Sequence, residues 1–177
     1  MPDPVDLSHA FDTVIAALAQ QFPTFRTVAA EDEDRQSLPV PAILVQISEI
    51  EPEPDNDVHT GQFPCMVRFE ARVILGHRTP RVRREVIAAA GALAAFVHNN
   101  RLGMAWGAAT VVSVAPDEFA PMANQFDVWA VEWMHETHLG ENYFADDGIT
   151  PTELLTSWSP DTGPDHESEY TVEASSV

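Results

Sequence analysis

The sequence predicts an α+β fold: a mixed β-sheet of four to five strands, two helices packed mainly on one face of it, and an extended acidic C-terminal arm. Three observations predict this fold. Two stretches carry apolar residues at helical spacing, four alternate apolar with polar residues as strands do, and the last part of the chain has acidic but no basic residues. With 177 residues, of which 45% are hydrophobic, the chain can build one domain with its own core. We place that domain at residues 1–144 and the arm at residues 145–177.

The first predicted helix runs from Asp6 to Phe22. Asp6 is a favourable N-cap residue, and Pro23 ends the run because proline cannot continue a helix. The apolar residues recur three and four positions apart, which places them on one helical face: Leu7, Phe11, Val14, Ile15, Leu18 and Phe22. A short edge strand is predicted to follow at Phe25 to Ala30.

Two strands are predicted next, at Ala42 to Ile50 and at Phe63 to Leu75. The loop between them carries two prolines and Gly61, a composition that excludes regular structure. In the second strand every other residue from Cys65 to Leu75 is apolar, and the positions between them include Arg68, Glu70 and Arg72. We therefore expect the strands to pair antiparallel, with one face buried. The single cysteine, Cys65, belongs to that buried face.

The second predicted helix opens at Thr79-Pro80, since threonine caps helices well and proline is tolerated at the first helical position. Its apolar stripe runs from Val82 to Val97, and Asn99-Asn100 ends it.

Two further strands are predicted, at Ala108 to Ala115 and at Phe126 to Leu139. The second is apolar on both faces, with Trp129 and Trp133 on one of them, so we expect helices to cover one face and a neighbouring subunit to contribute to the other. In the arm, a capping box at residues 150–153 predicts a short helix carrying Leu154, Leu155 and Trp158, and Tyr170-Thr-Val172 predicts a last strand.

The charge balance excludes two broad classes of function. The chain has 28 acidic residues against nine arginines and no lysine, a formal net charge of −19. General nucleic-acid binding and attachment to anionic membranes both need a cationic surface, so neither is expected. The N-terminus lacks the pattern of a signal peptide, and the longest apolar run is too short to cross a bilayer, so synthesis in the cytoplasm is expected.

No catalytic, cofactor-binding or metal-binding residues are predicted. His135 and His138 are three residues apart in a predicted strand, so they point to opposite faces and do not form a zinc pair. Asp55-Asn56-Asp57 lacks the glycine and glutamate that a calcium loop requires at its sixth and twelfth positions. A small metal-dependent hydrolase that uses His135, His138 and the acidic loops remains an alternative.

The arginines form the one positive pattern, because six of the nine fall between residues 68 and 84. Cations are disfavoured at a helix N-terminus, so we expect these arginines to meet carboxylates of another copy of the chain. A solvated helix end with weak local ion pairs, or a local DNA contact, are the alternatives. The predicted interface residues are Arg68, Arg72, Arg78, Arg81, Arg83, Arg84, Trp129, Trp133, Trp158 and Tyr170.

Four stretches together resemble the tail terminator (tail completion) proteins of long-tailed phages, particularly those of Mu-like phages and prophages. They are Pro41-Ala-Ile-Leu-Val-Gln-Ile-Ser-Glu-Ile-Glu-Pro, Gly61-Gln-Phe through Val67-Arg-Phe-Glu-Ala-Arg-Val, Phe126-Asp-Val-Trp-Ala-Val-Glu-Trp, and Ser159-Pro-Asp-Thr-Gly-Pro-Asp-His-Glu-Ser-Glu-Tyr. The resemblance spans nearly the whole chain and rests on the order and spacing of the four stretches.

The resemblance implies a structural virion protein without enzymatic activity. Such subunits assemble as a hexameric ring on the head-proximal end of the tail tube, stop its growth, and join it to the head-tail connector. DNA passes through the lumen without sequence-specific binding, and no membrane is involved. The alternatives within the virion are other neck components, such as a head-completion or adaptor protein. A free-standing acidic binding module, for example a DNA mimic, is a further alternative.

Overall fold

The computed structural model describes residues 5–31, 37–117, 125–144 and 153–175. The chain divides into two compact units, Met1–Phe144 and Ala145–Val177. We refer to the first as the main domain and to the second as the arm.

The main domain begins with helix α1, Leu7–Gln21, and its boundaries are close to those predicted. The carboxylate of Asp6 accepts a hydrogen bond from the backbone N–H of Ser8 at 2.8 Å, so Asp6 is the N-cap. Ala10, Val14 and Leu18 are buried, because the apolar stripe of the helix faces the sheet.

A five-stranded mixed sheet forms the centre of the domain. Its strands are β1 (Thr27–Ala30), β2 (Ala42–Pro52), β3 (Phe63–Gly76), β4 (Thr110–Pro116) and β5 (Phe126–Leu139). They lie in the order β1-β2-β3-β5-β4, with β1 parallel to β2 and all other neighbours antiparallel. The predicted antiparallel pairing of β2 with β3 is confirmed. The loop between them is less irregular than predicted, because Pro54–Asn56 form a short 3-10 helix.

One face of the sheet is covered by α1 and by helix α2, Val82–Val97. Every second residue of β3, from Cys65 to Leu75, is buried there, as predicted. The α+β fold with both helices on one face of the sheet is therefore confirmed. No helix in the described part of the chain is long and apolar enough to cross a membrane.

Helix α2 begins later than predicted. The N–H of Thr79 donates to the C=O of Gly76 at 2.9 Å, so Thr79 and Pro80 belong to the turn that leaves β3. Arg81 is the N-cap instead, in the left-handed conformation at φ 55°, and no side chain caps the helix. The prediction of a Thr79 cap was wrong, because Thr79 lies in the turn that follows β3, two residues before the observed N-cap.

The arm contains two strands, β6 (Glu153–Thr156) and β7 (Thr171–Ser175), which pair antiparallel. The predicted helix over Leu154, Leu155 and Trp158 is therefore wrong, whereas the predicted last strand is confirmed. A helix of about four residues gains little stability from its own hydrogen bonds. Pairing with a strand that is distant in sequence supplies more hydrogen bonds to the same residues. Residues 150–152 of the capping box lie outside the described residues.

Candidate interaction surfaces

Trp133 lies in the core and not on a surface. Its side chain is 0% exposed and stacks on Phe69, with ring centroids 5.5 Å apart and planes at 8°. Trp129, four residues earlier on the same face of β5, is half-buried against the same core. The prediction that Trp133 contributes to a subunit interface was wrong, because the helices of its own chain already cover it.

Arg72 stands on the sheet face opposite the helices and is surrounded by carboxylates of its own chain. Its guanidinium pairs with Glu31, with Glu70 at 2.7 Å and with Asp117 at 2.7 Å. Burial alone would lower the pKa of Arg72, but the hydrogen bond to Asp117 and the charges of Glu70 and Glu31 outweigh it and raise the pKa. The charge of Arg72 is therefore compensated within its own chain.

Arg68, four residues earlier on the same face, forms a second set of ion pairs. It bonds to Glu51 and lies 3.5 Å from Glu49 and 3.6 Å from Glu132. The hydrogen bond from Arg68 lowers the pKa of the Glu51 carboxyl. The expectation that Arg68 and Arg72 wait for carboxylates of another copy is corrected, because six carboxylates of the same chain already surround these two arginines.

A different set of arginines collects where β3 ends and α2 begins. We define the basic pole as His77 with five arginines, namely Arg26, Arg78, Arg81, Arg83 and Arg84. Two adjoining open concavities, of about 840 and 480 Å³, are lined by these side chains, and both include His77 and Thr79. The basic pole therefore gathers five of the nine arginines of the chain at one end of the sheet.

The arginines of the basic pole have little compensation from the described residues. Arg83 is 91% exposed in its side chain, and its nearest described carboxylate is Asp127 at 3.9 Å. Asp127 also faces His77 at 3.6 Å. For Arg78, Arg81 and Arg84, no ion pair is formed with any residue in the described ranges. In a protein of net charge −19, this pole is a local positive surface.

Exposed apolar side chains gather at the opposite end of the sheet. We define the apolar pole as Val58, Phe63, Tyr143 and Phe144, of which Tyr143 is 81% and Phe144 66% exposed. The N–H of Tyr143 donates to the C=O of Thr60 at 2.9 Å, which joins the segment after β5 to the loop before β3. Since β3 is 14 residues long, the two poles lie roughly 40 Å apart at ~3.3 Å per residue.

The two histidines that suggested a metal site are separated by the sheet. His135 is fully buried, and both its ring nitrogens are occupied, by the C=O of Gly107 at 2.8 Å and by the indole of Trp133 at 3.1 Å. His138 uses its Nε2 on the C=O of Asn56 at 2.9 Å. His135 therefore has no lone pair to offer a metal, and the hydrolase that would use both histidines loses its ligand pair.

His138 and Glu136 do line an open concavity of about 500 Å³ near the apolar pole, together with Arg101. The side-chain amide of Asn56 donates to Glu136 at 2.9 Å. Two threonines line the concavity: the hydroxyl of Thr60 bonds to Gln62 at 3.1 Å, and Thr137 is buried. These polar groups stabilise the loop against β5, and their arrangement pairs no nucleophile with a base.

The arm supplies the remaining predicted residues. Trp158 is 89% exposed, whereas the hydroxyl of Tyr170 accepts a hydrogen bond from the N–H of Gly163 at 2.8 Å and stabilises the turn between β6 and β7. Asp161, His166 and Glu169 are close enough to one another to hold an ion, but all three lie at the surface, and His166 pairs with Glu169 at 3.3 Å. Such acidic surface clusters are common without an ion.

A comparison with protein-family models found no match, and a comparison with curated proteins found none either. Sequence reasoning found four arginines of the basic pole but missed Arg26, which is 52 residues before Arg78 in the chain. It also missed the apolar pole, although the pair Tyr143-Phe144 within a polar segment was a visible signal.

Proposed function

We propose that the chain is a structural virion protein, a ring-forming tail terminator that caps the head-proximal end of a phage tail tube. One observation carries the proposal: the main domain has two unlike surfaces that no described residue covers, the basic pole and the apolar pole, at opposite ends of one sheet. Exposed apolar clusters mark interaction sites, and a cluster of arginines without carboxylate partners suits an anionic one. The α+β fold is the one that the resemblance to tail terminators implies.

A contact between two different surfaces of neighbouring copies is head-to-tail. Such contacts close into a ring when the rotation between neighbours divides a full turn, and otherwise extend as a filament. A hexameric ring is proposed because tail terminators, which the sequence resembles, form one. Two axial partners follow from the same role: the tail tube protein on one side and the head-tail connector on the other.

The open face of the sheet carries a surplus of carboxylates around Arg68 and Arg72. In a ring, DNA must move through the lumen without adhering to the wall. An anionic surface repels the phosphate backbone, so this face suits a lumen wall and excludes sequence-specific binding. Neither a catalytic residue nor a cofactor enters the proposed role.

The test is assembly of the full-length protein. Sedimentation velocity and negative-stain images of the purified protein should show a closed ring of uniform size. With purified tail tube protein from the same genome, the ring should bind tube ends and stop their growth. A protein that remains monomeric and leaves tube length unchanged would contradict the proposal. Rings that bind connector but not tube would indicate another neck component, such as a head-completion or adaptor protein.

A further inference from the structure

We infer that the basic pole is the docking site for the acidic arm of a second copy of this chain. The inference rests on the proposed self-assembly and specifies which two surfaces meet. Each copy has one basic pole and one arm, so the contact is heterologous, and each arm occupies the pole of the next copy around the ring.

The basic pole needs an anionic partner. Arg81, Arg83 and Arg84 stand together at the first turn of α2, where their own repulsion and the positive end of the helix dipole both raise the free energy of the free surface. Asp127 is the one described carboxylate within ion-pair distance, and it is shared between Arg83 and His77. A partner that brings several carboxylates would relieve this repulsion, and partial exclusion of water would strengthen the pairs.

The arm has the complementary charge. Within residues 153–175 there are six acidic residues and no arginine: Glu153, Asp161, Asp165, Glu167, Glu169 and Glu173. Asp165 and Glu167 stand in one short 3-10 helix, Pro164–Glu169, and both side chains are exposed. The arm therefore presents many exposed carboxylates, and these are the ion-pair partners that the arginines of the basic pole lack.

The arm also has apolar side chains that need cover. A two-stranded sheet is marginally stable by itself. Leu155 and Val172 are exposed on its strands, and Trp158, just after β6, is exposed too. The basic pole offers arginine stems and Pro80, and a guanidinium can stack on the face of the Trp158 indole. The basic pole and the arm thus match both in charge and in exposed apolar area.

A nucleic acid is the other polyanion that would fit the basic pole. The remainder of the chain opposes it, because a net charge of −19 repels phosphates. The arm of another copy is also acidic, but it brings exposed apolar side chains as well as carboxylates, so the contact would bury apolar area that a nucleic acid backbone does not offer. We therefore assign the pole to the arm, and DNA becomes an outcome of the test.

The test is a charge exchange in the full-length protein, measured by sedimentation velocity over a concentration series. Reversing the pole (Arg81→Glu with Arg84→Glu) or the arm (Asp165→Arg with Glu167→Arg) should raise the assembly midpoint by about tenfold or more. Combining both reversals should recover most of the loss. Ala92→Glu with Ala95→Glu, which adds negative charge at exposed positions of α2 outside both poles, is the control and should leave the midpoint within about twofold.

A cross-link identifies the surfaces directly. Full-length Thr79→Cys and Ser159→Cys proteins, mixed and treated with a short bismaleimide, should give a dimer joined between residues 79 and 159, because the native Cys65 is buried. Three results would overturn the inference while the ring stands. The first is an assembly midpoint that neither reversal changes, and the second is the absence of a 79–159 cross-link between the two mixed proteins. The third is a pole reversal that abolishes binding of a duplex oligonucleotide without affecting assembly. Absence of any ring would instead reject the proposed function.

Discussion

The indole N–H of Trp133 donates a hydrogen bond to Nε2 of His135 at 3.1 Å, and both side chains are fully buried. An indole nitrogen can only donate, so Nε2 accepts and the ring proton sits on Nδ1, which donates to the C=O of Gly107 at 2.8 Å. The His135 ring also stacks on Trp106, with centroids 4.2 Å apart. His135 is therefore a neutral core residue that joins β5 to the loop before β4.

This geometry predicts an acid-sensitive fold. Burial lowers the pKa of His135 in the folded protein. At a pH between the pKa of the folded state and that of the unfolded state, only the unfolded chain binds the proton. The free energy of unfolding is therefore highest above the ordinary histidine pKa, and it falls with the pH by up to about 1.4 kcal/mol per pH unit. Between pH 7.5 and 5, urea denaturation should show a steeper loss in the wild type than in His135→Gln. Parallel pH profiles would contradict this account.

Trp133→Phe is expected to lower the free energy of unfolding by about 2 kcal/mol, because His135 loses its donor and the smaller ring leaves space beside Phe69. Since Trp133 is a core residue, the difference from wild type should be the same at low and high protein concentration. Trp158→Phe, an exposed matched control, should lie within about 0.5 kcal/mol of wild type at the low concentration, at which copies do not associate. Denaturant titrations at two concentrations measure both.

Arg72→Met should destabilise the main domain by about 2 kcal/mol, since Glu31, Glu70 and Asp117 would then repel one another without a central cation. The expected loss is below that of a fully buried pair because the Arg72 side chain stays 21% exposed. Arg84→Met, which removes an exposed arginine, should change stability by about 0.5 kcal/mol or less. Equal effects of the two substitutions in urea would show that the Arg72 ion pairs contribute nothing.

Two glycines should respond in opposite directions to alanine. Gly91 lies in α2, and a methyl group there would meet no atom within 4 Å, so Gly91→Ala should stabilise by about 0.5–1 kcal/mol. At Gly107 the methyl would lie 3.2 Å from the backbone oxygen of Glu136, and moving that backbone disturbs the bond to His135. Gly107→Ala should therefore destabilise by about 1 kcal/mol or more. Thermal unfolding of both variants shows whether each substitution raises or lowers the midpoint temperature.

Cys65 should be inert to thiol reagents while the protein is folded. Burial raises the pKa of its thiol, so neither access nor thiolate is available. Labelling by a maleimide should follow the unfolding transition in urea and show no faster phase without denaturant. Rapid labelling of the native protein would mean that β3 opens locally, and would also complicate the proposed cross-linking experiment.

Much of the fold followed from local patterns. The bodies of α1 and α2 and the extents of β2, β3 and β5 were predicted because burial of one face imposes a period of about 3.6 in helices and 2 in strands. Cys65 was placed on the correct face of β3 by this rule alone. The candidate surfaces were predictable only in part: the arginines from 78 to 84 are close in sequence, whereas Arg26 joins them through the order of the strands.

The sequence by itself determined the periodic elements, the buried face of the sheet and the charge of the chain, since each depends on neighbouring residues. Only the tertiary structure decided that Trp133 lies in the core, that Arg68 and Arg72 have partners in their own chain, and that the arm pairs as strands. These features depend on groups far apart in sequence, whose proximity is set by strand order and register, and no local pattern records that order.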